Sequence, residues 1–323
     1  MTKTKKSIAR QHHYVPQCYL KRFAHPDRKP PQIFVVDRSG NTFYANPKNI
    51  ACERDFNRID LDGHDPDLLE NSFSQFETVL SSALDELILS EKFEDKEVRQ
   101  TIFEFIDILV IKNPKMREKI DNFTSDISKQ IMNIFLASPE RYQIEMNKTR
   151  EHALKEGREL PIVPYEEMKA LHERGDAFEI KAHRHFHLQL EEQSPVLETL
   201  YHRRWTLLKA PPTEVFITSD HPVSLIDLSA TKSVFGIGHA MTETEVFFPI
   251  SPTLALSGQY EGAESKLNAD VFDVAIYNAR TIASAKRQVY SSTETFSYVW
   301  TPPRSLFMSG CDLATDPHFC RPR

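Results

Sequence analysis

The feature that most constrains this chain is a change in the spacing of its apolar residues. From Asp67 onward, Leu69, Phe73, Phe76, Leu80, Leu84, Leu87 and Ile88 recur at helical intervals and form one stripe. Asp65-Pro66-Asp67 is a start signal for that helix. A second helix is expected over 96–112, with Ile102, Phe105, Ile106, Leu109 and Val110 facing inward. Asn113-Pro114 should interrupt it, because proline lacks an amide donor and crowds the preceding turn. Further helices are expected over 116–136, 139–155 and 165–174, and a last one from Ala182 to just before Trp205.

Both ends of the chain read differently. Residues 32–36 and 42–44 are β-rich and flank Asp37-Arg38-Ser39-Gly40-Asn41, a hairpin turn. A short helix is expected over 47–55, with Pro47 in its first turn, and a strand over 56–61. In the last third, 205–209, 214–218, 245–248 and 253–257 are strand-like, and 268–290 returns to helical spacing. The predicted class is α+β: a helical middle, about 67–203, with β elements from the N-terminal unit and the C-terminal third. These β segments are candidates for one shared sheet.

The expected organisation is a basic tail over 1–10, then one domain over 11–300. That domain divides into a mixed unit (11–62), a helical part (63–203) and a strand-rich part with a late helix (204–300). Residues 301–323, rich in Pro and Arg, are expected to trail over the surface. A chain of 323 residues can bury a large core, and 40% hydrophobic with 27% charged residues is a globular balance.

Several function classes lose support at once. With 9 glycines, and neither GxGxxG nor GxxxxGK[ST], dinucleotide and Walker-type sites are not expected. GxSxG, HExxH and SxxK are also absent. A net charge of −6 argues against a basic coat for nucleic acid, although local patches are allowed. Cys18, Cys52, Cys311 and Cys320 form no CxxC, which fits reduced thiols. Residues 1–10 lack an apolar segment, and the apolar run 103–111 is short and holds Glu104 and Asp107. The expectation is a soluble, cytoplasmic protein with no membrane partner. Oligomeric state is not legible.

Chemistry concentrates in two stretches. His12-His13 precede Tyr14 and Pro16, and imidazoles both bind metals and titrate near neutrality. On a strand, adjacent side chains point to opposite faces, so one His could hold a divalent metal while the other activates water. Alternatively, the pair and Gln17 could form a hydrogen-bonding platform, or brace the fold around Tyr14 and Tyr19. Thr218-Ser219-Asp220-His221-Pro222 follows a predicted strand, where sites often lie, although turns before proline use the same residues. His183, His185 and His187 fit a solvated helix face. His202-Arg203-Arg204, Lys21 and Arg22 add positive charge suited to phosphate.

The stretch from His12 through Tyr14, Pro16, Gln17, Tyr19, Leu20 and Phe23 resembles the opening signature of a mostly bacterial domain-of-unknown-function family. That signature has the form His-His-Tyr-x-Pro-Gln-Phe-Tyr-Leu-x-x-Phe, and Cys18 replaces its usual Phe. Asn113-Pro114-x-x-Arg117, the run Phe216 to Val223, and Phe248-Pro249-Ile250-Ser251-Pro252 match further family stretches, with His221 where Asn is common. The family implies a fold-length domain and a motif set. His-His-x-Val-Pro also resembles the first motif of HNH-type (ββα-metal) nucleases. Asn49 and Asn57 then fall where that motif's later residues would stand, with Asn57 in place of a metal-binding His. Asp220 or His221 would have to supply the missing ligand.

Two functional readings follow. In the first, the chain is a metal-dependent phosphodiesterase or nuclease acting on nucleic acid, with bacterial defence as its candidate setting and Mg, Mn or Zn as cofactor. His13 and Ser219 are its expected catalytic residues, and His12 and Asp220 its metal ligands. Gln17, Arg22, Asn49, Arg117 and Arg204 are its expected substrate contacts. In the second, the chain is a non-catalytic ligand- or partner-binding protein in which the same motifs are structural.

Overall fold

A computed structural model describes residues 11–54, 56, 68–155, 157, 159–174, 194–229, 236–300 and 308–320; the side chains at 68–71, 117, 119–121, 123–124 and 308 lie outside that set. The fold is α+β. It separates into two compact units, one formed by Met1–Asn113 with His187–Arg323 and the other by Pro114–Phe186. The expected helical part is therefore divided between them.

The larger unit opens with strand β1 (Gln11–His13), helix α1 (Gln17–Leu20) and a 3-10 turn over Lys21–Phe23. Strands β2 (Ile33–Asp37) and β3 (Thr42–Ala45) form the expected hairpin, in which Asp37 Oδ1 accepts the amides of Ser39 and Asn41. The helix expected over 47–55 stops after one 3-10 turn, Pro47–Asn49, capped by the side chain of Asn46. Ala51 then adopts a left-handed conformation (φ 50°) and its carbonyl accepts the amide of Tyr14 at 3.0 Å. That reversal sends Cys52–Arg54 back along β1 as strand β4, with His12 opposite Glu53 and His13 opposite Cys52. Of the strand expected over 56–61, only Phe56 lies among the described residues.

Helix α2 (Leu68–Ser90) carries the first predicted stripe, with Leu80, Leu84 and Leu87 fully buried. Helix α3 (Lys96–Ile111) starts where Asp95 Oδ1 accepts the amides of Glu97 and Val98, at 2.9 and 3.0 Å. Such a cap is typically worth about 1 kcal/mol. All five residues expected to face inward on α3 are buried. The helix ends before Asn113, as the following proline requires, and Pro114 begins helix α4 (Pro114–Phe135). With α5 (Pro139–Lys155) and α6 (Tyr165–Arg174), α4 makes the second unit, whose core holds Met132, Leu136 and Tyr142.

In the C-terminal part, α7 (Pro195–Tyr201) leads into β5 (Arg204–Lys209). Then come β6 (Thr218–Ser219), β7 (Ser224–Asp227), β8 (Thr244–Pro249), β9 (Leu254–Gln259) and β10 (Ser265–Asn268). Helix α8 (Val271–Ser284) carries an Asp270/Asp273 capping box and is followed by β11 (Gln288–Ser291) and β12 (Ser297–Tyr298). A five-stranded sheet runs β10-β5-β9-β8-β7, with β10 parallel to β5 and the other pairs antiparallel. Trp205 lies across from Gly258, where an added Cβ would stand 2.9 Å from the indole. The strand is open to that ring only because the position has no side chain.

A four-stranded sheet runs β3-β2-β11-β6 and joins both ends of the chain, but the strands expected over 205–209, 245–248 and 253–257 lie in the five-stranded sheet, so the β segments do not share one sheet. It also corrects the helix expected over 268–290. That helix ends at Ser284, and Val289 and Tyr290 are instead inner-strand residues, fully enclosed. The strand expected over 214–218 pairs only at its last residue. Upstream, buried Asn278 takes its place in the ladder: its Oδ1 accepts from Ile217 N and its Nδ2 donates to Val215 O. Residues 308–320 do not trail over the surface. Met308–Ser309, β13, pairs with β12, and Leu313 and Phe319 are buried in the core beside Phe34 and Val289. The aromatic run Tyr298, Trp300, Phe319 outweighs the polar composition that suggested a tail.

Candidate functional site

The two chemical stretches of the sequence meet, and they meet through tyrosine. Tyr19, on α1, has no exposure and packs on Phe23, Phe105 and Phe248. Its hydroxyl donates to Pro249 O at 2.8 Å and lies 2.7 Å from Thr218 Oγ1. With the phenol proton on the carbonyl, Thr218 is the donor to the phenol oxygen. One hydroxyl thus ties the N-terminal motif to both β6 and the end of β8.

Asp220 follows β6 and is 2% exposed. Its Oδ1 accepts the amide of Lys286 at 2.8 Å, and its Oδ2 accepts those of Arg287 and Gln288 at 2.6 and 3.2 Å. Asp220 N donates in turn to Gln288 O. The carboxylate therefore holds the turn between α8 and β11 by accepting three consecutive part-buried amides. Burial pushes its carboxyl up to about 6, against the opposing pull of those three amides and of Arg287. At neutral pH it is ionised. Two buried phenols, Tyr14 and Tyr290, lie within electrostatic reach; burial and then Asp220 raise both well beyond the ordinary phenol range. Tyr14 also packs on Phe56, 5.5 Å between centroids. At the rim, Arg287 pairs with Glu53 at 3.2 Å.

The other expected site residues are placed as follows. His12 is 1% exposed on β1, and His13 is half-buried on the neighbouring position. Ser219 is fully buried, and its Oγ accepts the amide of His221 at 3.1 Å. Gln17 is half-buried at the start of α1. Arg22 is bound to helix α2, pairing with Asp85 and donating to Ser81 O and Oγ at 3.1 and 3.0 Å. Asn49 and Arg204 are exposed. Arg117 lies on α4, in the second unit, and its side chain is outside the described set. Asn57 and His183, His185 and His187 lie outside the described residues.

Among the described residues, no group of three or more His, Cys, Asp and Glu side chains is placed to hold a metal ion. The carboxylate expected as a ligand already has both oxygens engaged. The arrangement can hold a sheet, a turn and a helix in register, and it keeps its phenols protonated. Sequence reasoning put the weight on His12 and His13 and left Tyr14, Tyr19 and Tyr290 as background. The signal was there in the spacing, since Tyr14 and Tyr19 flank Pro16 on either side. Arg203, grouped with His202 and Arg204 as positive charge suited to phosphate, is 1% exposed, whereas Arg204 is exposed.

Among the described residues, no helix is long and apolar enough to cross a membrane. The model of a family described as "Protein of unknown function (DUF4238)" matches residues 11–295, and the chain belongs to that family. No curated protein and no solved structure matches.

Proposed function

We propose that this member of the family is a non-catalytic binding protein whose motifs build its frame. The observation that carries this reading is the Asp220 carboxylate, both of whose oxygens are held by backbone amides, three in all. A metal ligand needs a free lone pair directed at the ion, and a general base must reach a proton of the substrate. Thr218 and Ser219 are likewise engaged in the fold, through Tyr19 and the His221 amide. Arg22, expected to neutralise phosphate, is held by α2. The competing reading, a metal-dependent phosphodiesterase with His13 as base, would have to break these contacts to assemble its centre.

The deciding experiment is hydrolysis of DNA and RNA by the full chain with Mg²⁺, Mn²⁺ or Zn²⁺, beside His13→Ala. The binding reading expects no metal-dependent cleavage above background and no rise in melting temperature with any of the three metals. Cleavage that is present in the wild type and lost in a folded His13→Ala variant would establish the hydrolase instead.

A further inference from the structure

At one end of the five-stranded sheet a buried cation has no anion hydrogen-bonded to it among the described residues. Arg203 precedes β5 and is 1% exposed. Its Nη1 donates to Thr244 O and Gly258 O at 2.7 and 3.1 Å, and its Nη2 to His239 O and Thr244 Oγ1 at 2.7 and 2.8 Å. The guanidinium also lies over the ring of Tyr260, 4.4 Å from its centroid. Every one of these partners is neutral. Glu245 lies within electrostatic reach, but it is committed to Arg280 at 2.8 Å and to the hydroxyls of Ser257 and Tyr277. Buried charges are ordinarily paired.

Two buried nitrogens at this place, Arg203 Nε and His239 Nδ1, have no hydrogen-bond partner. His221, next to Asp220, brings a second imidazole within electrostatic reach of His239. Burial, then Arg203, then His221 hold His239 down to about 4. A bound water would satisfy a donor but leave the charge.

We infer that Arg203 and His239 form a binding site for a phosphoryl group carried by a small molecule. The inference rests on the binding-protein reading above and names its ligand class. An anion here would meet Arg203 at its unpartnered Nε rather than through the fork. The forked face of Arg203, which would grip a carboxylate in bidentate fashion, is already occupied by carbonyls. Bound phosphate would favour the protonated form of His239, so binding should tighten as pH falls.

The test is calorimetric titration of inorganic phosphate into the full chain at about pH 6 and about pH 8. A nucleoside monophosphate in a parallel arm distinguishes free phosphate from a phosphorylated metabolite as the source. Saturable binding is expected, tighter at the lower pH, and weakened at least about tenfold in His239→Asn, as loss of a hydrogen bond to a charged group implies. His239→Gln, read the same way, serves if His239→Asn does not fold. His13→Ala should bind phosphate as the wild type does, so failure here is separable from the hydrolysis assay above. The inference is overturned if the wild type shows no saturable binding, or if the folded variant binds equally well.

Discussion

Replacing Asp220 by Asn should not unfold this protein, although it removes an acceptor from a turn that uses three. The carboxyl titrates at about 6 in the fold, against about 3.9 in an unfolded chain. A raised value means that the folded state holds the proton more tightly than the unfolded one. This group's stabilisation is therefore fully present below about pH 4 and is lost as pH rises through about 6. The span between those values corresponds to about 3 kcal/mol lost by neutral pH. That figure already includes the three amide bonds, which oppose the larger effect of burial. Asn resembles the neutral acid, with one acceptor oxygen and one donor group, and its extra N–H facing an amide costs on the order of 1 kcal/mol. At neutral pH, Asp220→Asn should then be as stable as the wild type or up to about 2 kcal/mol more stable. His239 runs the other way: its value is lowered to about 4, so its contribution is lost as pH falls through that point. Only the difference between wild type and variant isolates Asp220. The assay is urea unfolding of both proteins across about pH 4 to about pH 8. A variant that loses more than about 1 kcal/mol at neutral pH, or a difference flat with pH, would refute the reasoning.

Three other substitutions probe the frame. Tyr19→Phe leaves Pro249 O and Thr218 Oγ1 buried without their shared partner and should cost about 2 kcal/mol in urea unfolding; a loss below about 0.5 kcal/mol would remove the tie from the account. Asn278→Ala strips bonds from Val215, Ile217 and Ser297 and should cost about 3 kcal/mol or more, read as a lower thermal midpoint. Gly258→Ala drives a methyl into the Trp205 ring and should cost about 1–3 kcal/mol, with a changed near-UV tryptophan signal as the local check.

Much of this fold was legible because local pattern and tertiary demand agree. The stripe on α3, the break at Asn113-Pro114 and the Asp37-to-Asn41 turn each follow from chemistry within a few residues. The misreadings occur where a distant partner decides. Val289 and Tyr290 continue a helical spacing, but Val36 and Val35 of β2 claim them as strand residues. Residues 214–217 look like a strand and lose their ladder to one asparagine more than sixty positions away. The candidate site divides in the same way. That the His-His-Tyr and Thr-Ser-Asp stretches belong together could be expected from their chemistry. That Tyr19 rather than an imidazole would join them could not, since a buried phenol between two strands is a matter of packing. Arg203 was hidden for a related reason: beside His202 and Arg204 it reads as surface, and only the strand ends around it turn it inward.

The four-stranded sheet also has a consequence for how the protein is made. Strand β2 leaves the ribosome early, and its partner β11 is translated about 250 residues later, a delay of roughly 10–50 s at ordinary synthesis rates. Throughout that interval Ile33, Phe34, Val35 and Val36, all buried at the end, have no β11 to cover them. The nascent chain therefore carries an unfinished sheet edge through most of its synthesis, and it is at this stage that a chaperone would find most to hold.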